Sequence, residues 1–189
     1  MKALVVKKSI ARYVITKLLS GRFPSFATGP TSLIGIKDVP EPSLPDRSWV
    51  KVRNIMSGIC GSDLAVVKCK SSLYLSGLTS FPFIPGHEVV GEVIELSQGI
   101  DNVTVGERVV IEPALGCVVR GFTEPCNSCL EGRYANCSRS TKGDISAGLQ
   151  TGFCQSLPGG WGEIMLAHES QIHKIPDRFS LEAAVLLEP

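Results

Sequence analysis

The sequence has no excess of either charge, no long apolar run near its start and no glycine fingerprint of a dinucleotide-binding fold. With 19 basic and 18 acidic residues its net charge is +1, so no global field recruits nucleic acid or anionic lipid, and a basic patch has to be local. Ala3, Leu4, Val5 and Val6 are the only consecutive apolar residues before Lys7 and Lys8 interrupt. That is shorter than a signal peptide's apolar region and far short of a membrane span, so the chain is expected to be cytoplasmic, with no membrane partner. Gly159, Gly160 and Gly162 form the one dense glycine cluster near a strand, but they do not lead into a long helix and read as a turn. Glycine and proline, 19 and 12 of 189 residues, are too few for a low-complexity chain, and there is no internal repeat. Seven cysteines are too sparse for a disulfide scaffold and odd in number, which leaves metal binding or thiol chemistry as their better use.

What is present is an ordinary globular composition, 43% hydrophobic and 20% charged, in a chain long enough to hold one core. Alternating stretches at residues 49–56, 88–96, 103–111 and 161–167, each bounded by turn formers, predict strands. Residues 63–70 fit a helix of about two turns, and residues 181–187 fit the start of a helix with Ser180 as N-cap. The fold class is therefore mainly β with short helices, as a partly closed barrel or sandwich. The chain stops at Pro189 directly after an apolar helix signal, and it is expected to be cut there.

Cys117, Cys126, Cys129 and Cys137 crowd four thiols into one short segment. A CxxC pair turns two sulfurs toward one point, and four thiolates at about 2.3 Å from Zn²⁺ leave no position for substrate, so such a site is structural. Its binding energy would fold a lobe at residues 116–138 whose glycines and Pro125 otherwise keep it mobile. Unligated buried cysteines are the plain alternative. A redox dithiol at Cys126 and Cys129 would need a thioredoxin-like context that is missing here.

A second constellation follows a predicted strand: Gly58, Ile59, Cys60, Gly61, Ser62 and Asp63, then Pro85, Gly86, His87, Glu88, Val89, Val90, Gly91 and Glu92. In motif and in order the chain resembles the catalytic domain of the zinc-dependent medium-chain alcohol dehydrogenases. Residues 1–6 look like that family's opening strand, 105–110 its Gly-Glu-Arg-Val-Val strand and 117–137 its structural zinc lobe. The resemblance implies a GroES-like, partly open barrel over residues 1–180, with 181–189 beginning the helix toward a cofactor domain. It implies a catalytic zinc on Cys60, His87 and Glu188, with Glu88 as alternative or water-bridged ligand, besides a structural zinc. One thiolate, one neutral imidazole and one carboxylate neutralise Zn²⁺ and leave a position open. Ser62 would relay the alcohol's proton, Asp63 would orient His87, and hydride would pass to NAD or NADP. Alternatively Ser62 and Asp63 are an ordinary helix cap.

The substrate would be an alcohol, polyol or sugar, with Glu188 pointing to the polyol side of the family, and the full-length enzyme a homo-oligomer. Isolated residues 1–189 would be inactive. Three departures qualify the likeness. Residues 118–125 separate Cys117 from Cys126, which keeps Cys154 as a rival fourth ligand. Leu64, Ala65, Val66 and Val67 stand where many relatives carry a relay histidine, and no glycine-rich cofactor domain is present. A zinc-ribbon nucleic-acid module and a metal-free co-chaperonin-like interaction protein are the rival classes; near-neutral charge without interleaved basic and aromatic residues disfavours the first, and the ligand motifs disfavour the second. Of the other residues, Cys69 reads as a partly buried thiol, and His168 and His173 as surface residues. Arg120, Arg133, Arg139 and Lys142 read as solvated, and Tyr74, Leu75, Leu78, Phe81, Phe83 and Ile84 as either pocket or barrel packing.

Overall fold

A computed structural model describes residues 1–71 and 77–188; Tyr74 and Leu75 lie outside the described residues. In chain order the elements are β1 (Lys2–Val6), α1 (Ile10–Leu19), α2 (Ser25–Thr28), β2 (Ile34–Asp38), β3 (Trp49–Ser57), α3 (Gly61–Val67), β4 (Val89–Leu96), β5 (Arg108–Ile111), α4 (Asn127–Leu130), β6 (Ile164–His168), β7 (Ile172–Lys174) and α5 (Leu181–Val185). β1 and β2 pair with each other, and five strands form an antiparallel sheet in the order β6-β3-β4-β5-β7. Its two edge strands are neighbours in sequence, joined by the one-turn 3₁₀ helix Glu169–Gln171. That short link draws the edges together, so the sheet wraps into the expected partly open barrel.

Alternation supplies the core. Val50, Val52, Val89, Val93, Val109, Ile111, Met165 and Ala167 come from four strands and form the principal cluster of buried side chains. Each fully buried valine contributes about 1.5–3 kcal/mol relative to exposure. The stretch expected as a strand at 103–111 is shorter, because Gly106 adopts φ +91° and the chain turns before Arg108 starts to pair. The predicted helices form at Gly61–Val67 and Leu181–Val185, the latter capped by Ser180, whose hydroxyl accepts the Ala183 N–H at 3.2 Å.

Several residues depart from their expected environments. Cys69 is fully buried, and burial pushes its thiol pKa up. Ile84 packs with Ala3 and Val5 in the barrel wall. His168, expected at the surface, is buried edge-on against Trp49, its partner across the β3–β6 register; His173 is exposed. The His168 Nδ1 accepts the backbone N–H of Ser170 at 3.1 Å, capping the 3₁₀ turn. Burial holds this imidazole below its ordinary value of 6.5. The folded chain therefore binds that proton less readily than the unfolded chain, so stability is complete above the unfolded pKa and declines as pH falls through it. His168→Asn, which retains a capping oxygen, is expected to flatten the fall in urea midpoint between about pH 7 and pH 5. An unchanged slope would show that His168 is not its source.

Candidate metal centres and the adjoining cavity

The antiparallel pairing of β3 with β4 assembles the first site. Ser57 at the end of β3 lies opposite Val89 at the start of β4, so Cys60, three residues past one strand, meets His87 and Glu88, just before the other. The Gly58 N–H donates to the Glu88 carbonyl at 2.8 Å and extends the pairing toward the site. Cys60 Sγ, a His87 ring nitrogen and a Glu88 carboxylate oxygen lie within 4.8 Å of one another.

Cys60 also begins α3, and its N–H donates to Asp63 Oδ2 at 3.0 Å. Asp63 is 0% exposed, and its other oxygen faces His87 Nδ1 at 3.7 Å. Neither of those two atoms has a hydrogen-bond partner among the described residues. Burial raises the Asp63 pKa, opposed by the nearby His87 and by N–H donation from Cys60 and Gly86. A buried imidazole with Nδ1 turned to a carboxylate keeps Nε2 available as a donor, which is the usual arrangement of a metal-binding histidine. The donor set of thiolate, imidazole and carboxylate suits Zn²⁺.

Glu188 is half-buried, and burial raises its pKa; the proximity of His87 opposes this, while Glu88, Glu112 and Asp63 add to it. It therefore lies within electrostatic reach of the site, while the mutually close ligand atoms belong to Cys60, His87 and Glu88. Two neighbours went unnoticed in the sequence. The Phe153 ring lies 5.9 Å from that of His87, and Glu112 joins the acidic surroundings of Glu188. No spacing signal marks either, since both come from distant loops.

Ser62, on the first turn of α3, opens onto a cavity of about 270 Å³. Its walls are mainly apolar and include Val66, Leu78, Phe81, Phe83 and Phe153, with Tyr13 of α1 behind. Phe83 stacks on Phe153 with centroids 5.4 Å apart. Leu78, Phe81 and Phe83 thus line this space.

In the lobe, the sulfurs of Cys117, Cys126, Cys129 and Cys137 lie within 4.8 Å of one another, with Cys117 and Cys137 at 3.6 Å. Tetrahedral bonds of about 2.3 Å would put sulfurs about 3.8 Å apart. Backbone N–H groups of Cys117, Cys126 and Arg139 donate to three of them. Ser138's hydroxyl, then the N–H groups of Cys129 and Ser138, bring Cys126 down to about 5, whereas burial pushes Cys129 up to about 12 and raises Cys137. Several adjacent thiolates repel one another, and a divalent cation removes that penalty. Cys154 stands apart, its thiol donating to the Ser146 carbonyl at 3.3 Å.

Arg120, expected in solvent, is 0% exposed. Its guanidinium donates to the carbonyls of Leu115 (3.1 Å), Lys142 (3.0 Å), Ser146 (3.4 Å) and Gly148. Burial lowers its pKa, opposed by Cys154, Cys137 and Cys117. Arg133 and Lys142 are exposed, and Arg139 lies over the Phe122 ring at 4.6 Å.

Residues 46–177 match the model of the alcohol dehydrogenase GroES-like domain. The chain is 33% identical over 138 residues to a probable mannitol dehydrogenase of Fragaria ananassa, covering 73% of this chain and 35% of the relative. It is 31% identical over 166 residues to a sorbitol dehydrogenase of Bacillus subtilis, covering 84% and 40%. The crystal structure of 2R,3R-butanediol dehydrogenase from Bacillus subtilis aligns with a TM-score of 0.60 at 27% identity, over 81% of this chain and 40% of that one. The chain thus spans well under half the length of these relatives. Mainly β in fold, it belongs to the alcohol dehydrogenase GroES-like domain family.

Proposed function

We propose that this chain is the catalytic domain of a zinc-dependent, NAD(P)-linked dehydrogenase that oxidises an alcohol to a carbonyl. In this reading residues 1–180 are the domain and residues 181–189 start the helix toward a cofactor-binding domain. The observation that carries it is the convergence of Cys60, His87 and Glu88 beside the cavity onto which Ser62 opens.

Cys60, His87 and either Glu88 or Glu188 would hold the catalytic zinc, and Cys117, Cys126, Cys129 and Cys137 the structural one. Zinc bound at the first site supplies Lewis acidity that makes an alcohol's hydroxyl proton easier to remove. Asp63, whose free oxygen faces His87 Nδ1 at 3.7 Å, would orient the imidazole. The Ser62 hydroxyl receives the alcohol's proton and passes it to solvent. With no histidine at residues 64–67, that relay would end in water or, with the cofactor bound, in one of its hydroxyls. NAD or NADP held by the cofactor-binding domain would supply the acceptor for the hydride that the alcohol's carbon gives up as it becomes a carbonyl. Phe83, Phe153 and Val66 hold the carbon body and exclude water. A cavity of about 150 Å³ with similar walls takes up benzene, so this larger one suits an alcohol with an apolar body. Each additional hydroxyl of a polyol buried there without a partner would cost about 1–3 kcal/mol.

Elemental analysis of the purified chain tests the metal assignment. Two zinc ions per chain are expected, one lost in Cys60→Ala and the other in Cys129→Ala. A folded, reduced chain without zinc would overturn it. The chain alone is expected not to reduce NAD or NADP with any alcohol, because hydride transfer needs the nicotinamide held against the substrate; turnover would overturn the assignment of residues 1–189 as a catalytic domain needing a partner domain.

A further inference from the structure

Helix α1 carries its apolar half outward. At about 100° per residue, Ile10, Val14, Leu18, Ile15 and Leu19 fall on one half of its circumference. All five are exposed, Ile10 and Leu18 at 70% and 73%. The side turned into the protein carries Tyr13 and Thr16, whose hydroxyls donate to the carbonyls of Ser71 and Phe26. Phe23, exposed just past the helix, extends the apolar surface. Packing among the described residues leaves this half of the helix exposed, and it precedes the stretch matched by the family model.

Charge says what could cover it. Before Asp38 the sequence has no acidic residue, yet it holds Lys2, Lys7, Lys8, Arg12, Lys17, Arg22 and Lys37. The remaining residues carry all 18 acidic side chains against 12 basic ones. The near-neutral total therefore conceals a basic segment. Arg12 and Lys17 border the apolar half of α1 on its two sides. Lys7, Arg12 and Lys37 line a groove of about 510 Å³ beside the helix start, along with the exposed Ile36. The Lys7 and Lys37 ammonium groups lie close enough that hydrogen bonding and charge between them lower the Lys7 pKa. Among the described residues none of these cations is in an ion pair.

We propose that this face docks on an anionic phospholipid bilayer, with the apolar half of α1 and Phe23 at the acyl boundary and the groove of Lys7, Arg12 and Lys37 on lipid phosphates. Apolar residues flanked by lysine and arginine are the pattern of a helix lying in a membrane interface. A helix of ten residues is about 15 Å long and lies in that plane, and no helix among the described residues is long and apolar enough to cross a membrane. A two-fold contact with a second copy would set the same cations against one another. The bilayer reading is independent of the proposed catalytic chemistry.

Co-sedimentation of the purified chain with phosphatidylcholine vesicles, with and without phosphatidylglycerol, tests it. Binding is expected to be about tenfold stronger to the anionic vesicles and to weaken with salt. Ile15→Ser with Leu18→Ser, and separately Lys7→Glu with Lys37→Glu, should each abolish most of it while leaving the thermal midpoint unchanged, since all four side chains are exposed. Equal binding to both vesicle types, or undiminished binding by the Ile15/Leu18 variant, would overturn the proposal. So would self-association that the same variant abolishes in a chain that ignores vesicles, which would assign the face to a second copy.

Discussion

Methionine in place of Arg120 is expected to lower the unfolding free energy by about 3–5 kcal/mol, measured by urea denaturation. The guanidinium ties together Leu115, Lys142, Ser146 and Gly148, which flank the cysteine lobe on both sides in sequence. Removing it leaves carbonyls from separate segments facing an apolar side chain, and each buried polar group without a partner costs about 1–3 kcal/mol. Charge adds to this. Four thiolates around one Zn²⁺ leave a net −2, and Arg120 is the buried cation beside Cys117 and Cys137. The variant should therefore release its lobe zinc to a chelator more readily than the parent. Arg120→Lys is expected to recover only part of the loss, because an ammonium presents its donors from one point whereas the guanidinium fork reaches in several directions. A Met variant within about 1 kcal/mol of the parent would contradict this role.

The surface reading of Arg120 failed for a reason that separates what was legible from what was not. An arginine among Arg133, Arg139 and Lys142 carries no local mark of burial; its carbonyl partners come from loops that only the folded lobe brings around it. Cys117 illustrates the same limit. Its separation from Cys126 left Cys154 as a rival, and the fold resolves the geometry by a turn that carries Cys117 back, with the Cys126 N–H reaching its sulfur at 3.3 Å. The strands were plain where alternation met a buried face, as along Val50, Val52, Val89 and Val93. Helix α1 was not seen, although Ser9 caps it, because its apolar residues cover half a turn and include β-branched Ile10, Val14 and Ile15 rather than a narrow inward stripe. The Cys60 and His87 motifs were visible as words in the sequence, and the β3–β4 pairing accounts for their meeting. That the mutually close carboxylate is Glu88, with Glu188 farther out, depended on the spatial path of the last residues.

Alanine at Gly159 is expected to empty the first metal site while leaving the second intact. The turn containing this glycine lies directly on the strand-like segment that ends at His87. Gly159 N–H donates to the Ile84 carbonyl, Gly160 N–H to that of Gly86 and Trp161 N–H to that of Pro85, each at 2.9 Å. A Cβ on Gly159 would collide with the Gly86 carbonyl oxygen and come within 2.5 Å of the Pro85 oxygen and 2.7 Å of the Ile84 oxygen. These are backbone atoms, so no side chain can swing aside, and separating the two segments breaks the hydrogen bonds that hold residues 84–86. Overpacking costs about 1–3 kcal/mol, and more where the backbone must yield. The displacement falls on the residues next to His87, whose ring must stay within 4.8 Å of the Cys60 and Glu88 ligand atoms. Gly162→Ala is the matched control, since its Cβ would meet Ala3 and Ile84 side chains at an ordinary 3.5 Å. Elemental analysis should find one zinc per chain in Gly159→Ala and two in Gly162→Ala. Two ions retained in Gly159→Ala would mean that the turn does not position His87.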